Sequence, residues 1–194
     1  MKRFLSTLLI IFGISWVILG DYYYWIQHSP TSLAFSNYSV KNSNVKTNSK
    51  SDEKKSLPVS ITISDLNISL PIIPAKVEND NWEMSYAGAS YLTSSPIPGE
   101  NGNSVIYAHN WTKLFGNLID AKEGQDITIS YADGTQKRFV IKSTSTVDPT
   151  ESYVLGQTKD QRITLYTCTG FLDTKRFVAV ANYDKNPTFA EVIR

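Results

Sequence analysis

Two side chains in this sequence could together perform nucleophilic catalysis: the thiol of Cys168 and the imidazole of His109. Cys168 is the only cysteine in the chain, and the second histidine, His28, follows closely after an apolar N-terminal segment. A thiolate can attack a carbonyl carbon, and an imidazole can carry protons to and from the reacting groups. Either residue alone is more often structural, since a free cysteine is usually buried as a small apolar side chain. A catalytic role for the pair is better supported, because each residue ends a predicted strand where a loop begins, a common position for catalytic groups.

Arg176 is predicted to lie beside Cys168. Seven residues, Thr169 to Lys175, separate the last two predicted strands, and this length suits a hairpin connection. If the strands pair antiparallel, the Cα atoms of Cys168 and Arg176 lie roughly 4.5 to 5.5 Å apart. A guanidinium there could favour the thiolate and donate hydrogen bonds to a developing oxyanion. The alternative is a surface arginine that pairs with Asp173 or is solvated, and this pattern alone leaves both interpretations open.

Composition and charge exclude several classes of function. The formal net charge is +1, so no global field favours nucleic acid, and we expect no nucleic-acid partner. A single cysteine excludes an internal disulfide framework and any multi-cysteine metal site. The chain has 194 residues, 41% of them hydrophobic, which is enough for one domain with a core and short accessory segments.

The N-terminal segment is predicted to be a transmembrane signal-anchor covering residues 4–26. Lys2 and Arg3 precede seventeen uncharged residues, Phe4 to Gly20, which as a helix would span roughly 25 Å. The basic pair favours the cytoplasm for residues 1–3, so the rest of a single-pass protein would lie outside the cell. A cleaved signal peptide is the alternative, although the apolar run is long for one and no small-x-small cleavage site follows.

A flexible extracellular linker is predicted over residues 27–56. Fifteen of the twenty-one residues from Ser36 to Ser56 are Ser, Asn or Lys, and no aliphatic run there could pack. Such a segment cannot offset its own ordering entropy. The folded, catalytic domain is therefore assigned to residues 57–194.

That domain is predicted to be mainly β. Apolar residues alternate with polar ones in several short runs, and Ala132-Asp133-Gly134 is a turn signal between two of them. Short helices are predicted at residues 114–121 and 82–87. Many short strands joined by turns indicate a barrel or a sandwich. The predicted strands cover residues 61–63, 68–72, 103–109, 127–131, 137–147, 162–168 and 176–183.

Several segments of the domain resemble the sortase family. Residues 164–168 read TLYTC, which is similar to the sortase signature TLxTC that ends in the nucleophile. Arg176 follows eight residues later and opens a hydrophobic strand, as in that family. Upstream, residues 98–110 read PGENGNSVIYAHN and resemble the family's PGxxGN…GH block, with Ala108 where many members have Gly. The likeness extends over nearly the whole domain, from Leu57 to Tyr183.

The resemblance implies a fold, a reaction and roles for the three residues. The fold would be a sortase-like eight-stranded β-barrel with short helices. The reaction would be cleavage of an LPxTG-type sorting signal between Thr and Gly, followed by transfer of the acyl group to an amine. Cys168 would hold the acyl intermediate, His109 would act as acid and then base, and Arg176 would steady the oxyanion or the peptide.

Partners and further site residues also follow from the resemblance. The partners would be surface proteins with a C-terminal sorting signal, an amine acceptor such as a peptidoglycan precursor or a pilin, and the lipid bilayer around residues 4–26. The setting would be the membrane of a Gram-positive-type envelope, and housekeeping anchoring and pilus assembly both remain open. Substrate contacts are assigned to Thr167, Asn110, Val147 and Pro149. The chemistry needs no metal or organic cofactor; no acidic cluster predicts a calcium site, and calcium activation is left open.

Three other functions are alternatives. A hydrolytic cysteine peptidase would pass through the same acyl enzyme, so the sequence does not separate it from a transpeptidase. A tethered binding or structural ectodomain would not need all three residues, Cys168, His109 and Arg176. An L,D-transpeptidase also uses Cys and His, but its usual SHGC-like block is absent from this sequence.

Overall fold

The computed structural model describes residues 2–28, 56–78 and 81–185. Helix α1 runs from Lys2 to His28. No helix within these described ranges reaches the length and apolarity required to cross a membrane. The predicted linker lies almost entirely outside them, as do residues 186–194 of the predicted domain.

The described residues form ten strands: β1 Pro58–Ile63, β2 Ile68–Ala75, β3 Val77–Glu78, β4 Asn81–Trp82, β5 Ala89–Leu92, β6 Gly102–Tyr107, β7 Asp126–Tyr131, β8 Gln136–Val147, β9 Gln161–Thr169 and β10 Lys175–Tyr183. Eight of them close into a barrel, in the order β1-β2-β5-β6-β9-β10-β8-β7, and β3 and β4 form a separate pair. Neighbouring barrel strands are antiparallel except β2 with β5 and β6 with β9, which are parallel. The barrel confirms the predicted eight-stranded fold and excludes the sandwich.

The barrel interior is filled by the alternating apolar residues of its strands. Ile61 and Ile63 of β1 and Ile127 and Ile129 of β7 are fully buried, while the residue between each pair is half-buried. Phe139 of β8 joins the same core. Because successive side chains of a strand point to opposite faces, this period of two makes these strands recognisable in the sequence.

A second core lies on the other face of β6, β9 and β10, and we call it the outer cluster. Its buried members are Ala75, Trp82, Leu92, Val105, Tyr107, Val147, Leu155, Tyr166, Cys168 and Val178. Strands β6 and β9 are therefore buried on both faces, which suits the parallel pairing between them. The thiol of Cys168 belongs to this outer cluster and not to the barrel interior.

Both predicted short helices differ from the structure. The helix predicted at residues 82–87 is wrong: Trp82 ends β4, paired with Val77, and residues 83–88 are irregular. The indole is 1% exposed, so packing into the outer cluster overrides the weak helical preference of this stretch. In place of the helix predicted at 114–121, a 3-10 helix covers Gly116–Asp120.

Strand β5, Ala89–Leu92, is not among the predicted strands. All four of its residues are buried, so the alternation that marks a half-exposed strand is missing. It pairs with β2 on one side and β6 on the other.

Candidate active site

Strands β6 and β9 bring His109 level with Cys168. Their parallel ladder ends at the pair Tyr107 and Tyr166, and two residues further each chain reaches His109 or Cys168. The Thr167 hydroxyl donates to the Ala108 carbonyl at 2.8 Å, which joins the two strands one residue before the site. The sequence predicts that each residue ends a strand; in the structure His109 lies two residues after the end of β6, and Cys168 is the penultimate residue of β9.

Strand β10 brings Arg176 to the other side of Cys168. Arg176 and Cys168 are direct partners in the antiparallel β9–β10 ladder, as the hairpin argument predicted. The next strand, β8, pairs Val147 with Arg176. Cys168, Arg176 and Val147 thus form one row across β9, β10 and β8, and His109 follows the end of β6 on the other side of Cys168.

The three candidate catalytic side chains are all nearly sealed from solvent. Cys168 is 2% exposed, His109 3% and Arg176 4%. Arg176 donates from Nη1 to the carbonyl oxygens of Asp173 at 2.9 Å and Lys175 at 3.0 Å. A buried guanidinium is stable only when hydrogen-bonded, and these two carbonyls fix the direction of the Arg176 side chain. Arg176 is therefore not the solvated surface arginine of the alternative interpretation.

Aromatic rings hold the imidazole of His109. The ring of Trp111 stacks on it with centroids 4.5 Å apart and planes 9° apart, and the ring of Tyr86 stacks at 5.1 Å and 18°. The Lys113 ammonium lies 5.2 Å from the centroid of the Trp111 ring. Stacked rings restrict the rotation of the imidazole, so Trp111 and Tyr86 set its plane. Neither aromatic residue is among the predicted site residues, because the motif marks only His109.

A tight turn follows His109 and fixes its backbone. The amide of Phe115 donates to the His109 carbonyl at 3.0 Å, and the amide of Gly116 donates to the Trp111 carbonyl at 2.9 Å. A Cβ at position 116 would lie 2.7 Å from the Trp111 carbonyl carbon, so only glycine fits this approach.

The connection between β9 and β10 is strained and reaches toward the His109 loop. Leu172 and Asp173 both have positive φ, 54° and 59°, in the left-handed region that non-glycine residues rarely adopt. The Asp173 carboxylate accepts a hydrogen bond of 2.6 Å from the side-chain amide of Asn110. Burial raises the pKa of Asp173, while the Asn110 hydrogen bond and the Arg176 charge act in the opposite direction. The sequence suggests Asp173 only as a surface partner for Arg176.

The residues predicted to contact substrate fall in different environments. Val147 is buried in the outer cluster, and Pro149 follows it in a half-buried loop position. An ion pair of 2.7 Å between Asp148 and Lys175 ties the start of that loop to β10. Thr167 alternates with Cys168 along β9, and its hydroxyl donates to Ala108. Asn110 donates its side-chain amide to Asp173.

No cluster of three or more His, Cys, Asp or Glu side chains suited to a metal ion occurs in the described part of the chain.

Comparison with known proteins agrees with this geometry. Residues 61–184 match the family model described as "Sortase domain". The chain is 31% identical over 137 residues to Sortase A of Listeria monocytogenes, an alignment that covers 69% of this chain and 59% of that protein. The chain thus spans less than two thirds of that relative's length.

Solved structures of sortases are also similar to this chain in fold. A lid mutant of sortase A from Corynebacterium diphtheriae superposes with a TM-score of 0.58 at 27% identity, covering 69% of this chain and 74% of that one. Sortase A from Listeria monocytogenes superposes with a TM-score of 0.54 at 29% identity, covering 68% and 89% of the two chains.

Proposed function

Because the chain belongs to the sortase family, we propose that it is a cysteine transpeptidase with Cys168 as its nucleophile. The observation that carries the proposal is that His109, just after β6, and Arg176, on β10, lie on either side of Cys168 on β9. A nucleophile, a proton carrier and a fixed cation side by side are the parts that acyl transfer needs.

In the first half of the reaction, the Cys168 sulfur attacks the threonyl carbonyl of an LPxTG-type sorting signal. A C–S bond forms as the C–N bond to Gly breaks, and the departing amine takes a proton from the imidazolium of His109. The product is a thioester on Cys168 together with a peptide that begins with Gly. A thioester divides one difficult amide exchange into two easier steps.

In the second half, an amine attacks the thioester. Neutral His109 removes a proton from that amine, the new C–N bond forms, and the Cys168 thiolate departs. The same imidazole must reach the nitrogen of the leaving amine and then the nitrogen of the incoming amine. The stacking of Trp111 and Tyr86 supports this role, because it holds the imidazole in one plane for both steps.

Arg176 stabilises the charge that develops on the carbonyl oxygen. Its guanidinium is aimed by the carbonyls of Asp173 and Lys175 and sits opposite Cys168 in the ladder. Donors fixed before the reaction stabilise the oxyanion without reorganisation, which is where such groups contribute most.

The substrates we propose are surface proteins that carry a C-terminal sorting signal, and an amine acceptor from a cell-wall precursor or a pilin. The peptide would lie on the outer face of β9, because Cys168 points to that side. Val147 and the loop through Pro149 would border it, next to Arg176.

The proposed setting is the outer face of a cell membrane, with the chain held by its N-terminal segment. In support, the aliphatic and aromatic side chains described between Leu9 and Leu19 of α1 are 55% to 66% exposed and do not join the barrel core. The full chain should sediment with membranes and resist carbonate extraction, and removal of residues 1–26 should release it. Release of the full chain by carbonate would contradict the proposal.

The test of the reaction is mass spectrometry of the protein after exposure to LPxTG-type peptides. The wild-type chain should gain the mass of the acyl fragment on Cys168 and, with an added amine, convert it to the ligated product. Cys168→Ala should lose both signals, and retained cleavage by that variant would refute the assignment of the nucleophile. Release of free acid at an unchanged rate with and without amine would instead identify a hydrolase.

A further inference from the structure

Asp173 contacts residues on both sides of Cys168. Its carboxylate binds Asn110, the residue directly after His109, and its carbonyl binds the guanidinium of Arg176. We propose that Asp173 is a positioning residue that holds the His109 loop and Arg176 at a fixed spacing on either side of Cys168. The inference builds on the proposed transpeptidase reaction and adds a residue that the family-like motifs of this chain do not mark.

On the histidine side, the tie is a side-chain hydrogen bond between residues 63 positions apart in the chain. Asn110 Nδ2 donates to Asp173 Oδ1 at 2.6 Å, and both side chains are half-buried. A carboxylate that only capped its own turn would bond to nearby backbone amides, as Asp133 does with Thr135 at the far end of the barrel. The Asp173 carboxylate instead crosses to the loop that follows β6.

On the arginine side, the tie is made by the backbone. Arg176 Nη1 donates to the Asp173 carbonyl at 2.9 Å, and the Asp173 amide donates to Gly170 at 3.2 Å. With φ at 59°, Asp173 turns its carbonyl toward Arg176 while its side chain reaches Asn110. Strained backbone of this kind persists only where surrounding contacts over-determine it, and such residues concentrate at functional sites.

The electrostatics fit a tether better than a free surface acid. The Asp173 carboxylate is partly withdrawn from water, and this burial disfavours the charged form and raises the pKa of Asp173. The Asn110 amide and the Arg176 charge compensate part of that cost. Since spacing errors of about 1 Å can cost about a hundredfold in rate, a tie between the two flanks has a direct kinetic consequence.

An exchange of the two tied side chains tests the inference. Asn110→Asp sets two carboxylates against each other and breaks the tie. Adding Asp173→Asn restores a donor and an acceptor with the polarity reversed and returns the net charge to that of the wild type. Asp173→Asn alone keeps an acceptor oxygen and a residue type that tolerates positive φ. Asp133→Asn, in the turn between β7 and β8, is the matched control.

Two readouts are measured on the full chain. One is kcat and KM for an LPxTG-type peptide, and the other is the rate at which iodoacetamide alkylates Cys168, which is unambiguous because the chain has one cysteine. We expect Asn110→Asp to lower kcat and the alkylation rate by about tenfold with little change in KM, a coupling typical of contacting residues. The exchanged double variant should recover to within about threefold of wild type, and Asp133→Asn should match wild type.

Equal loss in Asn110→Asp and in the exchanged double variant, or no loss in either, would overturn the inference. The alkylation readout needs no peptide, so it separates the two proposals. If wild type cleaves no peptide but alkylation still follows the expected order, the tie stands and the proposed function fails. If peptides are cleaved but neither kcat nor the alkylation rate changes in these variants, the proposed function stands and the tie fails.

Discussion

Cys168 and Arg176 are directly opposed in the antiparallel ladder between β9 and β10. Opposed residues share one face of a sheet, so the side chains of Cys168 and Arg176 leave the sheet on the same face. The pairing is set by backbone hydrogen bonds on both strands, and β10 is itself held by β8 on its other edge. This relationship makes Arg176 a fixed part of the site and gives the first prediction.

Arg176→Lys should lower kcat for peptide cleavage by about a hundredfold, which is typical for the loss of an oxyanion donor. An ammonium is a point charge and cannot satisfy the two carbonyls while also presenting a planar fork to the oxyanion. Steady-state kinetics with an LPxTG-type peptide provide the measurement.

Arg138→Lys is the matched control for that substitution. Arg138 of β8 pairs with Asp126 of β7 at 2.8 Å and with Asp184, just after β10, at 2.6 Å, at the far end of the barrel. Its kinetics should equal those of wild type. Near-normal turnover by Arg176→Lys would mean that charge alone suffices at this position.

Trp111 should matter for turnover although it carries no reactive group. Its ring centroid lies 4.5 Å from that of the His109 imidazole, and Trp111→Ala removes the nearer of the two rings that stack on the imidazole. Because such ring pairs are worth about 0.5 to 1.5 kcal/mol, kcat should fall by about two- to tenfold. Trp111→Phe keeps a flat face and should retain most of the rate.

Tyr153→Ala provides the comparison for loss of an aromatic ring, since Tyr153 is 72% exposed. It should not change kcat. If Trp111→Ala also left kcat unchanged, the stacking on His109 would have no kinetic role.

The parts of the site that are predictable from sequence are those set by local geometry. A short connection between two strands dictates their antiparallel pairing, so the opposition of Cys168 and Arg176 could be predicted. The alternation of Ile127 and Ile129 likewise indicates β7 from the sequence alone. That His109 and Cys168 belong to one site was predicted from the likeness to family motifs. Hairpin geometry does not predict it, because β6 and β9 pair in parallel across a long crossover.

What could not be predicted depends on contacts between distant segments. Trp82 forms no helix because its indole packs on Tyr107 and Tyr166, and nothing in the neighbouring sequence indicates those partners. Asp173 reaches Asn110 only because β6 and β10 flank the same strand. The membrane anchor, the catalytic roles and the sorting-signal specificity stay predictions.

The ion pair at the start of β9 predicts a pH dependence of stability. Arg162 binds both carboxylate oxygens of Asp160 at 2.6 to 3.0 Å, and these hydrogen bonds lower the pKa of Asp160 to about 2. An unfolded Asp has a pKa of about 3.9, so the pair stabilises the fold above about pH 4 and ceases to do so as pH falls toward 2.

Asp160→Asn should therefore lower Tm at neutral pH, and the difference from wild type should shrink between about pH 4 and pH 2. The loss at neutral pH should be modest, about 0.2 to 1 kcal/mol, because the two side chains are 32% and 36% exposed and solvent screens the pair. Thermal melts across that range measure it. A Tm difference that stays constant with pH would show that the carboxylate charge does not contribute.

Trp82 should both stabilise the outer cluster and shield the Cys168 thiol from solvent. Its indole is 1% exposed and packs edge-on against Tyr107 at 5.2 Å and Tyr166 at 6.0 Å, in the cluster that also contains Cys168. Truncation of a buried aromatic side chain costs about 3 to 5 kcal/mol, and Trp82→Ala should lose that much free energy of unfolding in urea denaturation.

The same variant should expose the thiol, which is only 2% accessible in the intact protein. Alkylation of Cys168 by iodoacetamide should be faster in Trp82→Ala than in wild type under conditions where both are folded. Phe139→Ala separates this effect from general loosening, because Phe139 is fully buried in the barrel interior and lies outside the outer cluster. A similar loss of stability there should leave the alkylation rate near that of wild type. Equal acceleration in the two variants would mean that Trp82 does not specifically cover the thiol.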